Sequence, residues 1–279
     1  MDNLEFKTLT ADELRVIREH QPEGSYLLID VRQPPEYEQG HIPGARLMPL
    51  PEVETRLFTL PSDRDLIFYC QNGGRSQWAA SLAGEGQVSQ KTVYNLMNGI
   101  MAWEDKILPG YPRIQIFEKD ETLEQQLQTA MDLEKGAWLF YQFLIDRYPD
   151  DSIRPTLEQL AIAEKAHANL IYRFWSKFHR NPPPFGRVYQ DLKGNILEGG
   201  QSFEDACLLL EQAESQGSSA VIELAMTIEY CAFDLYRSMA EQIQDADADA
   251  TFLAIAQAEK SHLRALTRAL NLASDPEAN

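Results

Sequence analysis

The fold is decided by Leu66-Ile67-Phe68-Tyr69-Cys70-Gln71-Asn72-Gly73-Gly74-Arg75-Ser76, an apolar segment that passes into a glycine-bearing loop. The apolar residues predict a buried strand, and the residues after Ser76 predict a helix. Cys70 is therefore expected at the carboxyl end of a strand, in a turn that opens a helix. Such a turn aims several backbone N–H groups at one point, and the helix dipole adds partial positive charge there.

This position favours ionisation of the Cys70 thiol, because amides and a helix dipole stabilise the thiolate, which is the nucleophilic form. Arg75 supplies a fixed positive charge nearby. Gly73 and Gly74 let the backbone curl without Cβ clashes. The alternative is a buried structural cysteine in an ordinary strand-to-helix turn, since free cysteines are often buried and inert.

Other motifs flank this loop in the first 113 residues. They are Asp30-Val31-Arg32, Glu36-Tyr37, Gly40-His41-Ile42-Pro43-Gly44-Ala45, Asn98-Gly99-Ile100, Trp103 and Gly110-Tyr111-Pro112. Together with the Cys70 loop they resemble the rhodanese-like sulfurtransferase family over roughly residues 5–113. The resemblance implies that Cys70 accepts sulfane sulfur as a persulfide and passes it to a thiol or another nucleophile, with no cofactor required. Asn98 departs from the family, which usually has glycine there, and we expect it to lie away from the cysteine loop.

The predicted loop-binding residues are Gln71, Asn72, Gly73, Gly74, Arg75 and Ser76. The six residues from Cys70 to Arg75 make a ring of amides that fits one sulfur atom, whereas related phosphatases use a longer loop to enclose phosphate. Gln71 is neutral, and a cation in its place would favour an anionic donor such as thiosulfate, so the donor stays open. Arg75 either contacts substrate or ties the loop down. Asp30 and Arg32 are expected to form a structural pair beside the loop.

Composition excludes several classes of function. The chain has 279 residues and a net charge of −18, which predicts about two domains and makes nucleic acid and anionic lipid poor partners. No segment approaches the roughly 20 apolar residues that a membrane span needs, and the start carries no signal-peptide pattern. Three cysteines without a Cys-x-x-Cys pair argue against a disulfide framework or a cysteine-built metal site. We predict a cytoplasmic location, where Cys70 would stay reduced.

The secondary-structure pattern changes along the chain. Residues 1–112 alternate strands and helices, which predicts an α/β domain with a parallel sheet flanked by helices. Its strands are predicted at Leu27–Val31, Leu66–Cys70 and Thr92–Leu96. Residues 113–121 are interpreted as a linker, and residues 122–279 as an all-α, ferritin-like four-helix bundle. Long helices are predicted at 122–148, 152–180, 217–244 and 247–272, with a loop from 181 to 200 and a shorter helix at 203–213.

Each long helix carries one glutamate among apolar residues that step by three and four, which places it on the inward face. The glutamates are Glu134, Glu164, Glu229 and Glu259, and two of them are followed three residues later by His167 and His262. That spacing puts each Glu and His on one helix face. An unpaired buried carboxylate costs several kcal/mol, so each glutamate needs a cation or a proton.

These glutamates belong to a duplicated helical hairpin. Each of these glutamates and histidines in residues 131–167 lies 95 residues before its counterpart in 226–262. The gap-free alignment of the two segments holds roughly eleven identities. One Glu from each of two helices, with Glu-x-x-His from each of the other two, is the ligand set of di-iron carboxylate bundles. We therefore predict two iron ions that neutralise the buried carboxylates. The alternative is a relic site that folds but stays empty, with protonated or hydrogen-bonded glutamates.

Both Glu-x-x-His motifs, with the pairs Glu134/Tyr141 and Glu229/Tyr236, resemble the rubrerythrin branch of the ferritin-like family over roughly residues 122–272. No Cys-x-x-Cys pairs follow, so the iron–sulfur module of many rubrerythrins is absent and an external donor would have to supply electrons. Bundles with exposed apolar faces often dimerise, which makes a homodimer one candidate assembly by analogy.

Three functions are compatible with these patterns. The first is a persulfide-forming sulfurtransferase that uses a small sulfur donor and a thiol or cyanide acceptor, with an appended di-iron bundle. In the second, the bundle is the main actor, as a di-iron peroxide or oxygen reductase. The third is a non-catalytic sulfur carrier or redox sensor that couples the two sites through partner binding.

Overall fold

A computed structural model describes residues 6–117, 121–149, 152–215, 217–243 and 245–274. The chain divides into two compact units, Met1–Tyr111 and Pro112–Asn279. Among the described residues, no helix is both long enough and apolar enough to cross a membrane.

The first unit contains a parallel sheet of five strands, β1 (Lys7–Leu9), β2 (Tyr26–Asp30), β3 (Arg46–Leu47), β4 (Asp65–Tyr69) and β5 (Val93–Leu96). The strand order in the sheet is β1-β5-β4-β2-β3. Its helices are α1 (Ala11–His20), α2 (Pro34–Gln39), α3 (Leu50–Arg56) and α4 (Gly74–Glu85), with 3₁₀ turns at Leu57–Thr59 and Gly99–Ala102. The α/β fold with a parallel sheet, predicted from the sequence, is confirmed.

Strand β4 lies inside the sheet and is buried on both faces. Leu66, Phe68 and Cys70 pack into one apolar cluster, while Ile67 and Tyr69 pack into another on the opposite face. This alternation follows from the two-residue period of a strand, and burial on both faces explains the uninterrupted apolar run.

The second unit contains four long helices, α5 (Leu123–Arg147), α6 (Arg154–Trp175), α9 (Ser218–Gln242) and α10 (Ala246–Ser274). Helix α5 packs along α6, α9 packs along α10, and α6 meets α10, which gives the predicted bundle. The connection between the two hairpins carries α7 (Phe185–Asp191) and α8 (Phe203–Glu214), and 3₁₀ turns lie at Ile114–Ile116 and Ser176–Phe178.

Two details of the helical half differ from expectation. A helix, α7, occupies part of the predicted loop 181–200; it begins directly after Pro184 and buries Tyr189. The predicted helix 152–180 ends earlier than expected: Phe178, within its predicted range, lies in the 3₁₀ turn after α6 and is 46% exposed. The helical period no longer applies once the α-helix has ended at Trp175.

The bundle interior is layered. One apolar cluster contains Phe140, Leu157, Ile222 and Leu266, and a second contains Met131, Ile171, Tyr236 and Ile255. On each long helix the glutamate falls between residues of the two clusters. A buried polar layer therefore crosses the bundle between two apolar ones.

Candidate functional site

Cys70 lies immediately after β4, at the carboxyl edge of the sheet, and α4 begins four residues later. Gly73 has a φ of 93°, a left-handed conformation that turns the chain back toward the sulfur. The Gly73 N–H donates to Cys70 Sγ at 3.2 Å, and Ser76 Oγ lies 3.4 Å from the same sulfur. An amide and a hydroxyl donor therefore converge on the thiol.

The electrostatics of the loop favour the thiolate. Burial raises the pKa of Cys70, but hydrogen bonds from the Ser76 hydroxyl and from the backbone of Ser76, Asn72 and Gly73 outweigh it, so the pKa is lowered from its usual value. Because the loop stabilises the charged form, a larger share of the thiol is ionised at neutral pH than in a free cysteine.

Replacing Ser76 by alanine is expected to raise the Cys70 pKa by about one pH unit, since a hydrogen bond to a charged group contributes about 1.5 kcal/mol. The thiolate would then form at higher pH, and the alkylation rate of Cys70 would reach its plateau at a higher pH than in the parent protein. Iodoacetamide labelling across pH measures this shift. Ser81→Ala is the matched control, because Ser81 lies on the same helix and bonds to Glu85. Equal profiles for both variants would contradict the assignment of Ser76.

Arg75 ties the loop to the neighbouring segment. Its guanidinium donates to both carboxylate oxygens of Glu36, at 2.6 and 2.7 Å, which lowers the pKa of Glu36 to about 2. The hydrogen bond to Glu36 raises the pKa of Arg75, and Cys70 contributes to the same shift. The structure therefore contains the tie, and a contact between Arg75 and substrate stays a prediction.

Asp30 and Arg32 form an ion pair beside the loop. Arg32 Nη2 lies 2.7 Å from Asp30 Oδ2, and both side chains are buried. Arg32 Nη2 also donates to the Gly40 carbonyl, and Arg32 Nη1 reaches Gln71 Oε1 at 3.5 Å. Within the loop, Asn72 Oδ1 accepts a hydrogen bond from the Gly74 N–H at 3.3 Å. These contacts hold the backbone that surrounds the sulfur.

The expectation that Asn98 lies away from the cysteine loop is wrong. A Cβ built on Gly73 would lie 3.1 Å from the Asn98 nitrogen, and Ile100 N–H donates to the Cys70 carbonyl at 2.8 Å. Asn98 has a φ of 62°, which glycine adopts freely and asparagine tolerates better than most residues. The turn after β5 therefore packs directly against the loop, because β5 is the sheet neighbour of β4.

Gly99 is the tightest point of this contact. Its φ is +57°, and a Cβ there would lie 2.2 Å from the Cys70 carbonyl oxygen. Gly99→Ala is expected to lower the free energy of unfolding by about 2–5 kcal/mol through backbone strain and overpacking. Urea denaturation of the full chain measures this loss, and Cys70 alkylation should show a higher thiol pKa.

Gly110→Ala is the matched control, because Gly110 has a φ of +80° but no atom within 4 Å of its built Cβ among the described residues. It should lose only about 1–2 kcal/mol from the left-handed backbone. Equal losses in the two variants would show that the contact with Cys70 is unimportant.

In the bundle, the structure brings all six predicted metal ligands together in the buried layer. His167 Nδ1 lies 3.1 Å from Glu164, 3.3 Å from Glu134 and 3.3 Å from Glu259. Ligand atoms about 3 Å apart match neighbouring positions on one ion with bonds of about 2.1 Å. The first Glu-x-x-His motif thus converges with glutamates from two other helices.

The second motif repeats this arrangement. His262 Nδ1 lies 2.9 Å from Glu229, 2.9 Å from Glu259 and 3.2 Å from Glu164. The two imidazole rings stack with centroids 5.1 Å apart. Glu164 and Glu259 approach both histidines, so they occupy the centre of the cluster.

The two tyrosines join the hairpins. Tyr141 donates its hydroxyl hydrogen bond to Glu229, and Tyr236 donates to Glu134. Each tyrosine thus reaches the glutamate of the other repeat. These reciprocal bonds fix Glu134 and Glu229 on opposite sides of the layer.

The donor set fits metal ions better than it fits hydrogen bonding alone. Each Nδ1 carries at most one proton, so a histidine can satisfy only one of the three carboxylates that it approaches. Six carboxylate oxygens of this cluster lack a hydrogen-bond donor among the described residues: Glu134 Oε2, Glu164 Oε1, both oxygens of Glu198 and both of Glu259. Buried carboxylates in this number require cations or protons, and two metal ions would supply the missing partners.

The pKa directions reflect the crowding of acids. Burial raises the pKa of Glu164 to about 7 and that of Glu259 well above its usual range. Burial alone would lower the pKa of each histidine, but the surrounding glutamates raise it well above the ordinary value for both His167 and His262. Without cations, the cluster therefore retains protons that metal binding would displace.

Sequence reasoning missed Glu198, which lies between α7 and α8 and joins the same cluster. Its carboxylate lies within 4.8 Å of ligand atoms on Glu164, Glu229 and Glu259. Helical periodicity could not find it, because it lies outside the long helices. The available signal was an acidic residue beside Gly199 and Gly200 in the connection between two hairpins that each carry a ligand motif.

Two family models match the chain. The model described as a rhodanese-like domain matches residues 10–106, and the model described as rubrerythrin matches residues 125–270. The first match contains the Cys70 loop, and the second contains both Glu-x-x-His motifs and Glu198.

Individual proteins are similar over shorter spans. The chain is 40% identical over 102 residues to the uncharacterized protein YqhL of Bacillus subtilis, a match that spans 36% of this chain and 75% of that protein. It is 42% identical over 84 residues to a sulfurtransferase of Allochromatium vinosum, across 30% of this chain and 76% of that protein. A solved rhodanese-like domain protein from Staphylococcus aureus aligns with 24% identity and a TM-score of 0.34, covering 37% of this chain and 98% of that one.

Proposed function

Because this chain belongs to the rubrerythrin family and also contains a rhodanese-like domain, we propose that it is a sulfurtransferase that carries sulfane sulfur as a persulfide on Cys70, joined to a di-iron carboxylate bundle. The observation that carries the first part is the convergence of the Gly73 amide and the Ser76 hydroxyl on Cys70 Sγ. The proposed division is a transferase domain at 1–112, a linker at 113–121 and a bundle at 122–279.

The transfer takes place in two substitutions at sulfur. The Cys70 thiolate attacks the outer sulfur of the donor; a new S–S bond forms, and the donor's own bond breaks as its leaving group departs with the electron pair. A thiolate or cyanide acceptor then attacks the outer sulfur of the persulfide. The Cys70 thiolate is thereby regenerated, and no external oxidant, reductant or cofactor is consumed.

The loop residues support both steps. The donors that lower the Cys70 pKa stabilise the thiolate as nucleophile in the first step and as leaving group in the second. Arg75, held by Glu36, adds positive charge near the sulfur. Cys70 is fully buried in this conformation, so a donor reaches the sulfur only after atoms around the thiol move aside.

The test is sulfur transfer from a donor to cyanide, followed as thiocyanate. Thiosulfate and a small organic persulfide are compared as donors, because the neutral Gln71 selects neither an anionic nor an uncharged donor. Transfer from either donor supports the proposal. The enzymatic assignment would be refuted, and a carrier or sensor role favoured, if the purified protein transfers sulfur from neither donor although Cys70 reacts with an alkylating reagent.

A second candidate function is di-iron peroxide or oxygen reduction in the bundle. It is supported by six buried carboxylate oxygens that have no donor within the described ranges, in a layer that also holds two histidines. Glu134, Glu164, Glu229, Glu259, His167 and His262 would hold the ions, which supply redox chemistry when bound. Tyr141 and Tyr236 orient the two outer glutamates through their hydroxyl groups.

Metal analysis of the purified protein tests this second function. About two irons per chain, with an absorbance change on addition of peroxide, support it. A metal-free protein after expression in iron-rich medium would contradict it. Turnover is expected to use an external electron donor.

A further inference from the structure

We infer that Glu198 is a fifth carboxylate ligand of the bundle's metal centre and that it serves only one of the two metal positions, which makes those positions chemically unequal. This inference rests on the proposed metal centre. It adds a ligand that neither the duplicated hairpins nor the Glu-x-x-His motifs contain.

The surroundings of Glu198 are those of a ligand. Its side chain is 0% exposed, and neither carboxylate oxygen accepts a hydrogen bond from any residue that the structure describes. A buried carboxyl group that serves only packing would be expected to have a donor, so the vacant oxygens point to an ion.

The backbone is built to bring Glu198 to the cluster. A tight turn encloses it, closed by Leu197 N–H to Gln201 carbonyl and Gly200 N–H to Leu197 carbonyl, both at 2.7 Å. The turn packs closely on α9: a Cβ on Gly199 would lie 2.7 Å from the Cβ of Cys231, and Cys231 is two residues after Glu229 in the sequence. It packs equally closely on α5: a Cβ on Gly136, which is two residues after Glu134, would lie 2.0 Å from the Ile196 carbonyl oxygen.

These close approaches are available only to glycine. Any side chain at residue 136 or 199 would push the turn away from the helices that carry Glu134 and Glu229. The turn is therefore pressed between α5 and α9 at the level of the ligand layer, which is the geometry that a ligand on a connecting segment requires.

Glu198 also breaks the symmetry of the duplication. It lies outside both repeated segments, 131–167 and 226–262, and so has no partner at the 95-residue spacing. Its neighbours among the ligand atoms are Glu164, Glu229 and Glu259, which are the three glutamates around His262. Glu164 and Glu259 approach both histidines, so the outer glutamates decide the side. Glu229, beside His262, belongs to this group and Glu134, beside His167, does not, which assigns Glu198 to the position beside His262.

This inequality has a consequence for charge. Two divalent ions carry four positive charges, which the four helix glutamates balance. A fifth carboxylate is balanced only when the metal pair gains a further positive charge, so Glu198 should favour the oxidised pair. Glu198→Gln is then expected to raise the midpoint potential of the iron-loaded protein.

The test compares Glu198→Gln with Glu211→Gln, an exposed glutamate on α8 with the same change of charge. Anaerobic ferrous titration of the metal-free proteins should give two ions in the parent and the control. In Glu198→Gln, the dissociation constant of one ion should rise at least about tenfold. Removing a residue that only hydrogen-bonds to a metal ligand already weakens metal binding by about 10- to 100-fold, and Glu198 is inferred to bind the metal directly. The other ion should keep its affinity.

Stability provides a second readout that a structural role would not reproduce. Without metal, Glu198→Gln should be as stable as the parent or more so, because the variant buries one fewer ionisable carboxyl. With iron, the same variant should be less stable than the parent. Lower stability in both states would assign Glu198 to packing and overturn the inference.

A backbone variant tests the delivery of the side chain. Gly199→Ala should weaken the same ion, while Gly186→Ala, which meets nothing within 4 Å among the described residues, should not. If the parent binds two ions and Glu198→Gln binds them equally well, the inference about Glu198 fails while the metal centre stands. If the parent binds none, both fail.

Discussion

Cys70→Ala is expected to abolish sulfur transfer to cyanide, with a loss of about a thousandfold or more. The size of the effect follows from chemistry: the substitution removes the atom that forms the bond to the transferred sulfur. The neighbouring donors, Gly73 and Ser76, have no sulfur of their own to activate. Steady-state thiocyanate formation measures the loss.

Cys207→Ala is the matched control. Cys207 is a half-buried thiol on α8, and burial raises its pKa, so little of it is ionised at neutral pH. This variant should transfer sulfur at the parent rate. Transfer that survives in Cys70→Ala and disappears in Cys207→Ala would move the reaction to the other unit.

Iron binding is expected to stabilise the metal-free bundle strongly. At free metal a thousandfold above its dissociation constant, each bound ion adds about 4 kcal/mol to the free energy of unfolding. The physical source is the layer of buried carboxylates, whose unpaired oxygens gain partners when ions bind. Urea denaturation with and without ferrous iron, under anaerobic conditions, measures the gain.

The double variant Glu164→Gln/Glu259→Gln should lose most of this gain, because these two glutamates approach both histidines. The control is Glu211→Gln/Glu223→Gln, which removes the same charge from exposed positions. A gain that is equal in the two double variants would mean that iron binds elsewhere, such as on the acidic surface of the chain.

Much of the architecture follows from local patterns. The apolar run before Cys70 predicts β4 to within one residue, and the inward glutamates of the long helices are buried where the helical period places them. Both signals are strong because each repeats a simple rule along a buried element. Strands β1 and β3 were not predicted, since three and two residues are too short to show a period.

Contacts between distant segments are harder to predict. The contact between Asn98 and the cysteine loop does not follow from their distance along the chain. It is decided by the pairing of β5 with β4, which local sequence patterns do not specify. Glu198 was overlooked because a ligand on a connecting segment has no periodicity. The tie between Arg75 and Glu36 joins side chains 39 positions apart, and the sequence left it as one of two alternatives.

The most direct test of the central claim is the mass of the protein after incubation with a sulfur donor and no acceptor. We predict a gain of one sulfur atom, located on the peptide that contains Cys70 and removed by cyanide. A protein that gains no sulfur, or gains it only on Cys207 or Cys231, would contradict the account.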